Sequence, residues 1–283
     1  MSLRVAMLSV HTCPLAALGG KETGGMNVYV RELARELGRM GVEVDVFTRS
    51  QNRDIPRVVA LGDRARVIHL AAGPEAPIAR ETIHNHLDQF ADGVEAWRRT
   101  RDVDYDLIHA HYWLSGEVAL RLRARRSTPV VAMFHTLGRL KNRVAATDPD
   151  REPDVRIAGE TRVIAEADRL VAANVVERRH LVEHYDADPA RIAVIPCGVD
   201  TDLFRPGDRA AARRALGVGV EPLLLYVGRL TPIKGLDTLL TALACLRTRN
   251  AGARLLIVGG DADEAETDAT SPLARRAAEL GLA

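Results

Sequence analysis

Short apolar runs alternate with longer amphipathic stretches along most of the chain. Runs rich in Val, Ile, Leu and Ala predict buried parallel strands, and stretches with a 3.6-residue period predict the helices between them. The first helix is predicted over residues 26–40, with Val30, Leu33, Ala34 and Leu37 on one face. In this first series, strands are predicted at 4–10, 42–48, 66–70, 107–109, 130–133, 169–172 and 192–195, and further helices at 78–100, 115–125 and 155–166. The alternation is typical of α/β proteins with a parallel sheet.

The alternation is interrupted at residues 196–206. This stretch contains two prolines and a glycine without any periodicity, which indicates a linker. A second series follows it, with strands predicted at 223–227 and 254–258 and helices at 236–247 and 272–280. We therefore predict a first domain over 1–195 and a second over 207–283. Because two strands cannot complete a doubly wound sheet, we expect the second domain to be incomplete in this chain.

Composition and charge exclude several classes of partner. The 283 residues include 39 basic and 38 acidic ones, for a net charge of +1, so bulk charge favours neither a nucleic-acid partner nor a charged membrane surface. The apolar N-terminal run is too short for a signal peptide or a membrane span. Cys13, Cys197 and Cys245 lack the spacing of a zinc site or a disulfide framework. We expect a cytoplasmic protein without an integral membrane segment.

A glycine-rich loop between the first strand and the first helix is the most specific segment. It contains Gly19, Gly20, Gly24 and Gly25 and leads directly into Met26. Glycines let a ligand approach the backbone closely, and a helix N-terminus offers free N–H groups with partial positive charge. The spacing differs from those of dinucleotide-binding and P-loop proteins. The segment predicts an anion cradle, the alternative being a merely flexible loop.

A second glycine-containing loop follows the strand predicted at 223–227. It extends from Gly228 to Gly235 and carries Arg229 and Lys234. Ligands of open α/β sheets bind beyond the carboxyl ends of the strands, and these two cations suit a diphosphate. We therefore predict a diphosphate site in this loop rather than two solvated surface charges.

Polar and aromatic residues follow two strands of the first domain. His109, His111 and Tyr112 belong to one group, and His135 and Thr136 to the next. Since the carboxyl ends of parallel strands meet at one edge of the sheet, both groups are expected to face one crevice. The histidines lack a known metal-ligand spacing, so we predict no metal. Two Asp-x-Asp patterns, at 102–104 and 261–263, are interpreted as solvated charge.

Five segments in this order resemble family 4 retaining glycosyltransferases of the GT-B fold. They lie at 24–30, 111–116, 183–186, 196–204 and 228–235. The resemblance covers nearly the whole chain. It is closest to the branch that holds the mycothiol-pathway inositol-phosphate N-acetylglucosaminyltransferase and the sucrose-phosphate synthases. It implies two facing Rossmann-like domains, the first binding mainly the acceptor and the second mainly a nucleotide sugar.

The resemblance also implies roles for individual residues. Donor-binding positions are Gly24, Gly25, Gly228, Arg229 and Lys234. Catalytic roles fall to His135, beside the transferred sugar, and to Arg229 and Lys234, which would stabilise the leaving diphosphate without a metal or other cofactor. Acceptor-phosphate positions are Arg80, Tyr112, Thr136 and Arg156, with Asn27 near the acceptor hydroxyls. Arg80 stands where we expect Lys in an inositol-phosphate enzyme, which leaves the acceptor's identity open.

The implied reaction is a retaining transfer of a hexosyl group from a nucleotide sugar, expected to be a UDP-sugar, to a phosphorylated or polyol acceptor such as inositol phosphate. Alternatives are transfer to fructose 6-phosphate and a non-catalytic sugar-phosphate-binding protein. A nicotinamide dehydrogenase is disfavoured because its glycine motif is absent. The family's Glu-x7-Glu region is not found after Gly260. We therefore expect this chain alone to bind the donor weakly and to be a poor catalyst. A homodimer is possible, and the sequence does not reveal the oligomeric state.

Overall fold

The chain forms two compact units. The computed structural model describes residues 2–17, 24–145, 147–230, 234–249, 252–260 and 271–282. The first unit comprises Met1–Ala16 and Gly25–Gly198, and the second comprises Ala17–Gly24 and Val199–Ala283. Each unit combines parallel strands with helices, which confirms the predicted α/β class.

An eight-stranded sheet forms the centre of the first unit. Its strands are β1 (Arg4–Leu8), β2 (Glu43–Arg49), β3 (Val58–Ala60), β4 (Ala65–Leu70), β5 (Leu107–His111), β6 (Val130–Met133), β7 (Arg169–Ala172) and β8 (Ile192–Val194). They lie in the order β3-β4-β2-β1-β5-β6-β7-β8, and only the β3–β4 pair is antiparallel. The strand order reverses between β1 and β5, which is where open α/β sheets bind their ligands.

Helices cover both faces of this sheet. They are α1 (Gly25–Arg39), α2 (Arg80–Ile83), α3 (Leu87–Arg101), α4 (Trp113–Arg126), α5 (Gly138–Val144), α6 (Asp154–Glu166) and α7 (Val175–Tyr185). Strand β1 shows how the two faces are filled, since successive side chains of a strand point to opposite sides. Ala6 and Leu8 belong to one buried apolar cluster, and Met7 belongs to another together with Val30 of α1. Both faces of the sheet are therefore buried core.

Helices α4 and α6 approach closely because each presents a glycine to the other. A Cβ added to Gly116 would lie 2.6 Å from Cγ1 of Val163. A Cβ added to Gly159 would lie 2.6 Å from Cε3 of Trp113. Both distances are shorter than van der Waals contact, so the packing of these two helices requires glycine at both positions.

The second unit contains α8 (Arg209–Ala215), β9 (Leu223–Val227), α9 (Leu236–Arg247), β10 (Arg254–Val258) and α10 (Pro272–Glu279). Strands β9 and β10 are parallel, and α9 buries Leu236, Leu240 and Leu243. The ends of the two strands approach so closely that a Cβ on Gly259 would lie 1.8 Å from the carbonyl oxygen of Gly228. Only glycine fits at position 259, which also has a positive φ of 154°.

Every predicted strand is present, with ends shifted by at most two residues. The single helix predicted over 78–100 is wrong, because the 3₁₀ turn His84–His86 separates α2 from α3. Asn and His are weak helix formers, and the break lets the His84 ring stack on Trp113 at a centroid distance of 5.8 Å. Four elements were not predicted: β3, α5, α7 and α8. Helix α7, for example, buries only Leu181 and Tyr185, so its apolar period is faint.

The contact between α4 and α6 predicts that Gly159→Ala destabilises the first unit. The added methyl group meets a buried tryptophan ring, and overpacking of this kind costs roughly 1–3 kcal/mol of unfolding free energy. Urea unfolding followed by tryptophan fluorescence measures the change. Gly198→Ala is the control, because a Cβ there has no neighbour within 4 Å. Equal losses in the two variants would contradict the proposed packing constraint.

Candidate functional site

Tyr112 lies just beyond the carboxyl end of β5 in a strained conformation. Its φ is 76° and its ψ is 159°, a region that costs a non-glycine residue about 1–3 kcal/mol. Two hydrogen bonds hold this turn, from Tyr112 N to the carbonyl of Met133 at 2.8 Å and from Gly116 N to the carbonyl of Tyr112 at 3.0 Å. The Tyr112 ring packs against His11, with ring centroids 4.3 Å apart. The strain is thus compensated by contacts with both neighbouring segments.

Arg156 on α6 is the central cation of the site and is only 1% exposed. Its Nη2 donates to the carbonyl oxygen of Thr136 at 3.1 Å and to the Thr136 hydroxyl at 3.0 Å. Its guanidinium also lies over the Tyr112 ring, 4.8 Å from the centroid. Arg156 therefore contacts both Tyr112 and Thr136, which the family resemblance assigns with it to one predicted site.

A buried carboxylate one turn further along α6, that of Glu160, holds Arg156 in place. Arg156 Nε donates to Glu160 Oε1 at 2.7 Å. Glu160 is fully buried and also accepts from the backbone N–H of Gly138 and from the hydroxyl of Tyr185. Burial alone lowers the pKa of Arg156, but Tyr112, Glu160 and Glu152 outweigh it, so the pKa is raised and the guanidinium stays charged.

The carboxylate of Glu152 pairs with three cations. Its carboxylate is 5% exposed, lies 2.9 Å from Arg156 Nη1 and 3.6 Å from Arg80 Nη2, and forms an ion pair with Lys141. Burial raises the pKa of Glu152, but Lys141, Arg156 and Arg80 together lower it below its ordinary value of 4.5. Arg80, the fourth predicted acceptor residue, joins the other three through this shared carboxylate.

Two buried donors in this cluster have no hydrogen-bond acceptor among the described residues. They are the hydroxyl of Tyr112 and Nη1 of Arg156, the latter near Glu152 but not in hydrogen-bonding geometry. A buried donor without an acceptor is costly. Both donors belong to residues at the same edge of the sheet, so the cluster is suited to accept an oxygen-rich anion.

Sequence reasoning missed Lys141, Glu152, Glu160 and Tyr185. The signal for two of them was present, because Glu152, Arg156 and Glu160 are spaced four residues apart and so share one face of a helical segment. Charged residues at this spacing usually form ion pairs on the solvent-exposed face of a helix. Only the burial seen in the structure shows that these ones belong to a site. Tyr185 lies within the segment 183–186, where it was noted only as part of a resemblance.

Asn27 fixes the loop between β1 and α1. Its side-chain amide is 1% exposed and donates to Thr12 Oγ1 at 2.6 Å and to the carbonyl of Cys13 at 2.7 Å. The Cys13 thiol in turn lies 3.3 Å from Nε2 of His69. The three cysteines are all free. Asn27 therefore has a clear structural role in this loop, and the structure does not test its predicted contact with acceptor hydroxyls.

His135 follows β6 and also has a positive φ, of 61°. Its Nε2 lies 3.0 Å from Nδ1 of His111, and its ring meets Tyr29 edge-on with centroids 5.2 Å apart. Burial, with a smaller effect from His109, lowers the pKa of His135 to about 4, so the ring is neutral at pH 7. Within the described ranges, no three His, Cys, Asp or Glu side chains are placed to hold a metal ion.

The predicted donor residues lie at the glycine loops of both series. Gly25 is the first residue of α1, and a Cβ there would have no neighbour within 4 Å. Within the second unit, a Cβ on Gly24 would lie 4.0 Å from Nε of Arg229. Gly228 and Arg229 follow β9 directly, and Lys234 is exposed just before α9. Residues 18–23, 231–233 and 261–270, including one Asp-x-Asp pattern, lie outside the described residues.

Comparison with known protein families identifies the chain. The family model described as Glycosyltransferase Family 4 matches residues 23–203, and the model described as Glycosyl transferases group 1 matches residues 208–283. The chain belongs to glycosyltransferase family 4. This membership confirms the family resemblance, while the donor, catalytic and acceptor roles of individual residues stay predictions.

Similar proteins agree with this family 4 assignment. D-inositol 3-phosphate glycosyltransferases from Actinosynnema mirum and Geodermatophilus obscurus are each 44% identical to the chain, over 91% and 99% of its length. The chain spans 63% of the length of each of these relatives.

Solved structures agree as well. A sucrose-phosphate synthase from Thermosynechococcus elongatus matches with a TM-score of 0.86 and 32% identity, over 99% of this chain and 68% of that one. The Anabaena protein Alr3699/HepE in complex with UDP-glucose matches with a TM-score of 0.67 and 17% identity, over 99% of this chain and 66% of that one, and supports the fold alone. The GT-B fold class is thereby confirmed. None of the helices described here is both long and apolar enough to cross a membrane.

The shared carboxylate predicts that Glu152→Gln lowers the stability of the first unit at pH 7. Three cations lose their common counter-charge, and Gln keeps the shape. Because the folded-state pKa of Glu152 lies below its ordinary value of 4.5, the carboxylate stabilises the fold above that pH and loses this effect as the pH falls through the folded-state pKa. The difference between wild type and variant should therefore shrink in acid.

Unfolding in urea between pH 3 and pH 7 measures this difference. Glu166→Gln is the control, since this carboxylate is half exposed and pairs with a surface arginine. A wild-type advantage that stayed constant to pH 3, or that was no larger than the control's, would contradict a role of the Glu152 charge in the cluster.

Proposed function

We propose that the chain is the acceptor-binding and partial donor-binding part of a retaining glycosyltransferase, which transfers a hexosyl group from a nucleotide sugar to a phosphorylated polyol. One observation carries the proposal: Arg80, Lys141 and Arg156 surround one buried carboxylate beside the Tyr112 hydroxyl, which has no acceptor among the described residues. The relatives named D-inositol 3-phosphate glycosyltransferase support an inositol phosphate as the acceptor.

The charges of the cluster favour an anionic group on the acceptor. Arg80, Lys141 and Arg156 contribute three positive charges, and the buried carboxylates of Glu152 and Glu160 contribute two negative ones. A third carboxylate, Glu81, lies 3.5 Å from Arg80 but is exposed, so solvent screens its charge. A phosphate would add acceptors for the orphan donors of Tyr112 and Arg156. Charge-assisted hydrogen bonds of this kind are about twice as strong as neutral ones.

The donor side is proposed from the second unit. Arg229 and Lys234 follow the carboxyl end of β9, where they would bind the diphosphate and stabilise the charge that develops on the leaving group. The leaving phosphate would then accept the proton of the acceptor hydroxyl, so no pair of catalytic carboxylates is needed. We propose that no metal or other cofactor takes part. We propose a UDP-sugar as the donor, as the family resemblance implies.

Fructose 6-phosphate is the second candidate acceptor. The observation that favours it is the similarity to a sucrose-phosphate synthase, with a TM-score of 0.86, together with Arg80 in place of the lysine expected for an inositol-phosphate enzyme. Both acceptors carry a phosphate that the same cluster would bind. The two acceptors differ in the ring that carries the phosphate. Comparing the affinities of the protein for inositol 3-phosphate and for fructose 6-phosphate therefore discriminates between them. We further propose that the protein acts in the cytoplasm; whether it dimerises stays open.

The proposal predicts that Arg80→Gln weakens binding of inositol 3-phosphate to the chain by about 10- to 100-fold. A hydrogen bond to a charged group contributes roughly 1.5–3 kcal/mol. Arg80 is a suitable probe because its side chain is partly exposed, whereas that of Arg156 is buried, so its replacement should disturb the packing less. Isothermal titration calorimetry measures the affinity.

Three controls sharpen this titration. Arg169→Gln changes an exposed arginine at the start of β7, on the opposite edge of the sheet, and should leave the affinity unchanged. Arg80→Lys should retain most of the binding because the charge persists. Unphosphorylated inositol should bind the wild type weakly. If inositol and inositol 3-phosphate bound equally well, the cluster would not be a phosphate site.

The proposed donor site predicts that Arg229→Ala lowers turnover by a factor of about 10² to 10³, as removal of a transition-state donor does. UDP release is measured with a UDP-sugar and each candidate acceptor, and UDP affinity is measured separately for the same variant. Arg249→Ala is the control, because this exposed residue follows α9, away from the carboxyl end of β9. Unchanged turnover and unchanged UDP affinity in Arg229→Ala would show that the diphosphate binds elsewhere.

A further inference from the structure

Two neutral histidines share one hydrogen bond at the ends of β5 and β6. His111 Nδ1 lies 3.0 Å from His135 Nε2. Burial is the main reason that both pKa values are low: that of His135 is about 4, and that of His111 is well below its ordinary value. Each ring therefore carries a single N–H at pH 7, and the two facing nitrogens share one proton between them.

The opposite nitrogen of His111 decides which ring donates. His111 is fully buried, and its Nε2 has no hydrogen-bond partner among the described residues. If His135 donated to His111 Nδ1, the single proton of His111 would lie on Nε2 and form a buried N–H without an acceptor. If His111 donates from Nδ1 instead, Nε2 carries only a lone pair. Orphaned buried N–H groups are rarer than under-satisfied acceptors, so the second arrangement is favoured.

We propose that His111 is a positioning residue that donates from Nδ1 to Nε2 of His135 and thereby fixes His135 as the tautomer with its proton on Nδ1. His135 then presents a hydrogen-bond donor on the side of the ring away from His111. This assignment follows from the packing around His111 and adds a residue to the site that sequence reasoning left without a role.

The tautomer matters for the chemistry of the proposed reaction, and this part of the inference rests on the proposed function. A neutral imidazole can either donate or accept at a given nitrogen, but not both. With the proton fixed on Nδ1, His135 can donate to a hydroxyl oxygen of the transferred sugar without rearranging. The left-handed backbone of His135 and the edge-on contact with Tyr29 limit the ring's orientation further.

Nitrogen-15 NMR of histidine side chains tests the assignment on the whole chain at pH 7. Two-bond nitrogen–proton correlations distinguish protonated from unprotonated ring nitrogens. We expect Nδ1 to be the protonated nitrogen of both His111 and His135, in about nine of ten molecules or more. His111→Asn and His135→Gln assign the two signals. A proton on Nε2 of His135, or two protonated nitrogens on either ring, would overturn the proposal.

Two substitutions test whether His111 is the cause. His111→Asn keeps an N–H donor close to the place of Nδ1, so His135 should keep its proton on Nδ1. His111→Leu removes the donor, so the fraction of His135 with its proton on Nε2 should rise. The tautomer is measured in the protein without any ligand, so the result does not depend on the proposed phosphate site. An unchanged His135 tautomer in a folded His111→Leu protein would show that another group fixes it.

Discussion

The buried guanidinium of Arg156 is the interaction on which the first unit's site depends. A charged group at 1% exposure is costly to remove from water and is tolerated only when opposite charges and hydrogen-bond acceptors lie around it. Glu160, Glu152 and Thr136 supply those partners, and the Tyr112 ring covers one face. Tyr112 follows β5 and Thr136 follows β6, so the charge connects α6 to the ends of both strands.

The fold positions these partners through close helix packing. Gly159 lets α6 approach Trp113 at the start of α4, and the residue before Trp113 is the strained Tyr112. The cost of the Tyr112 backbone is therefore offset partly by the packing of the helix that follows it. On the other side, Tyr185 at the end of α7 donates to Glu160 and fixes the carboxylate that holds Arg156. Packing and electrostatics in this unit thus depend on the same few residues.

The strands, the fold class and the loops that carry the candidate site were predictable from the sequence, because buried parallel strands and glycine-rich turns have local signatures. The cluster of charged residues around Arg156 and Glu152 was predictable only in part. Tyr112 and Thr136 follow strands and so attract attention, whereas Glu152 and Lys141 lie in polar segments that resemble ordinary surface. Which charges are buried depends on tertiary packing, and no spacing rule contains that information. The 3₁₀ turn at His84–His86 was not predicted for a similar reason, since a continuous helix over this segment is compatible with the local sequence.

The single carboxylate at the centre of the cluster explains how cations can be stored in a folded protein and still attract an anion. Without Glu152, Arg80, Lys141 and Arg156 would repel one another across a partly buried space. One shared carboxylate keeps the three cations charged and close together while it leaves part of their hydrogen-bonding capacity unused. A phosphate bound as we propose would therefore meet donors that are already oriented.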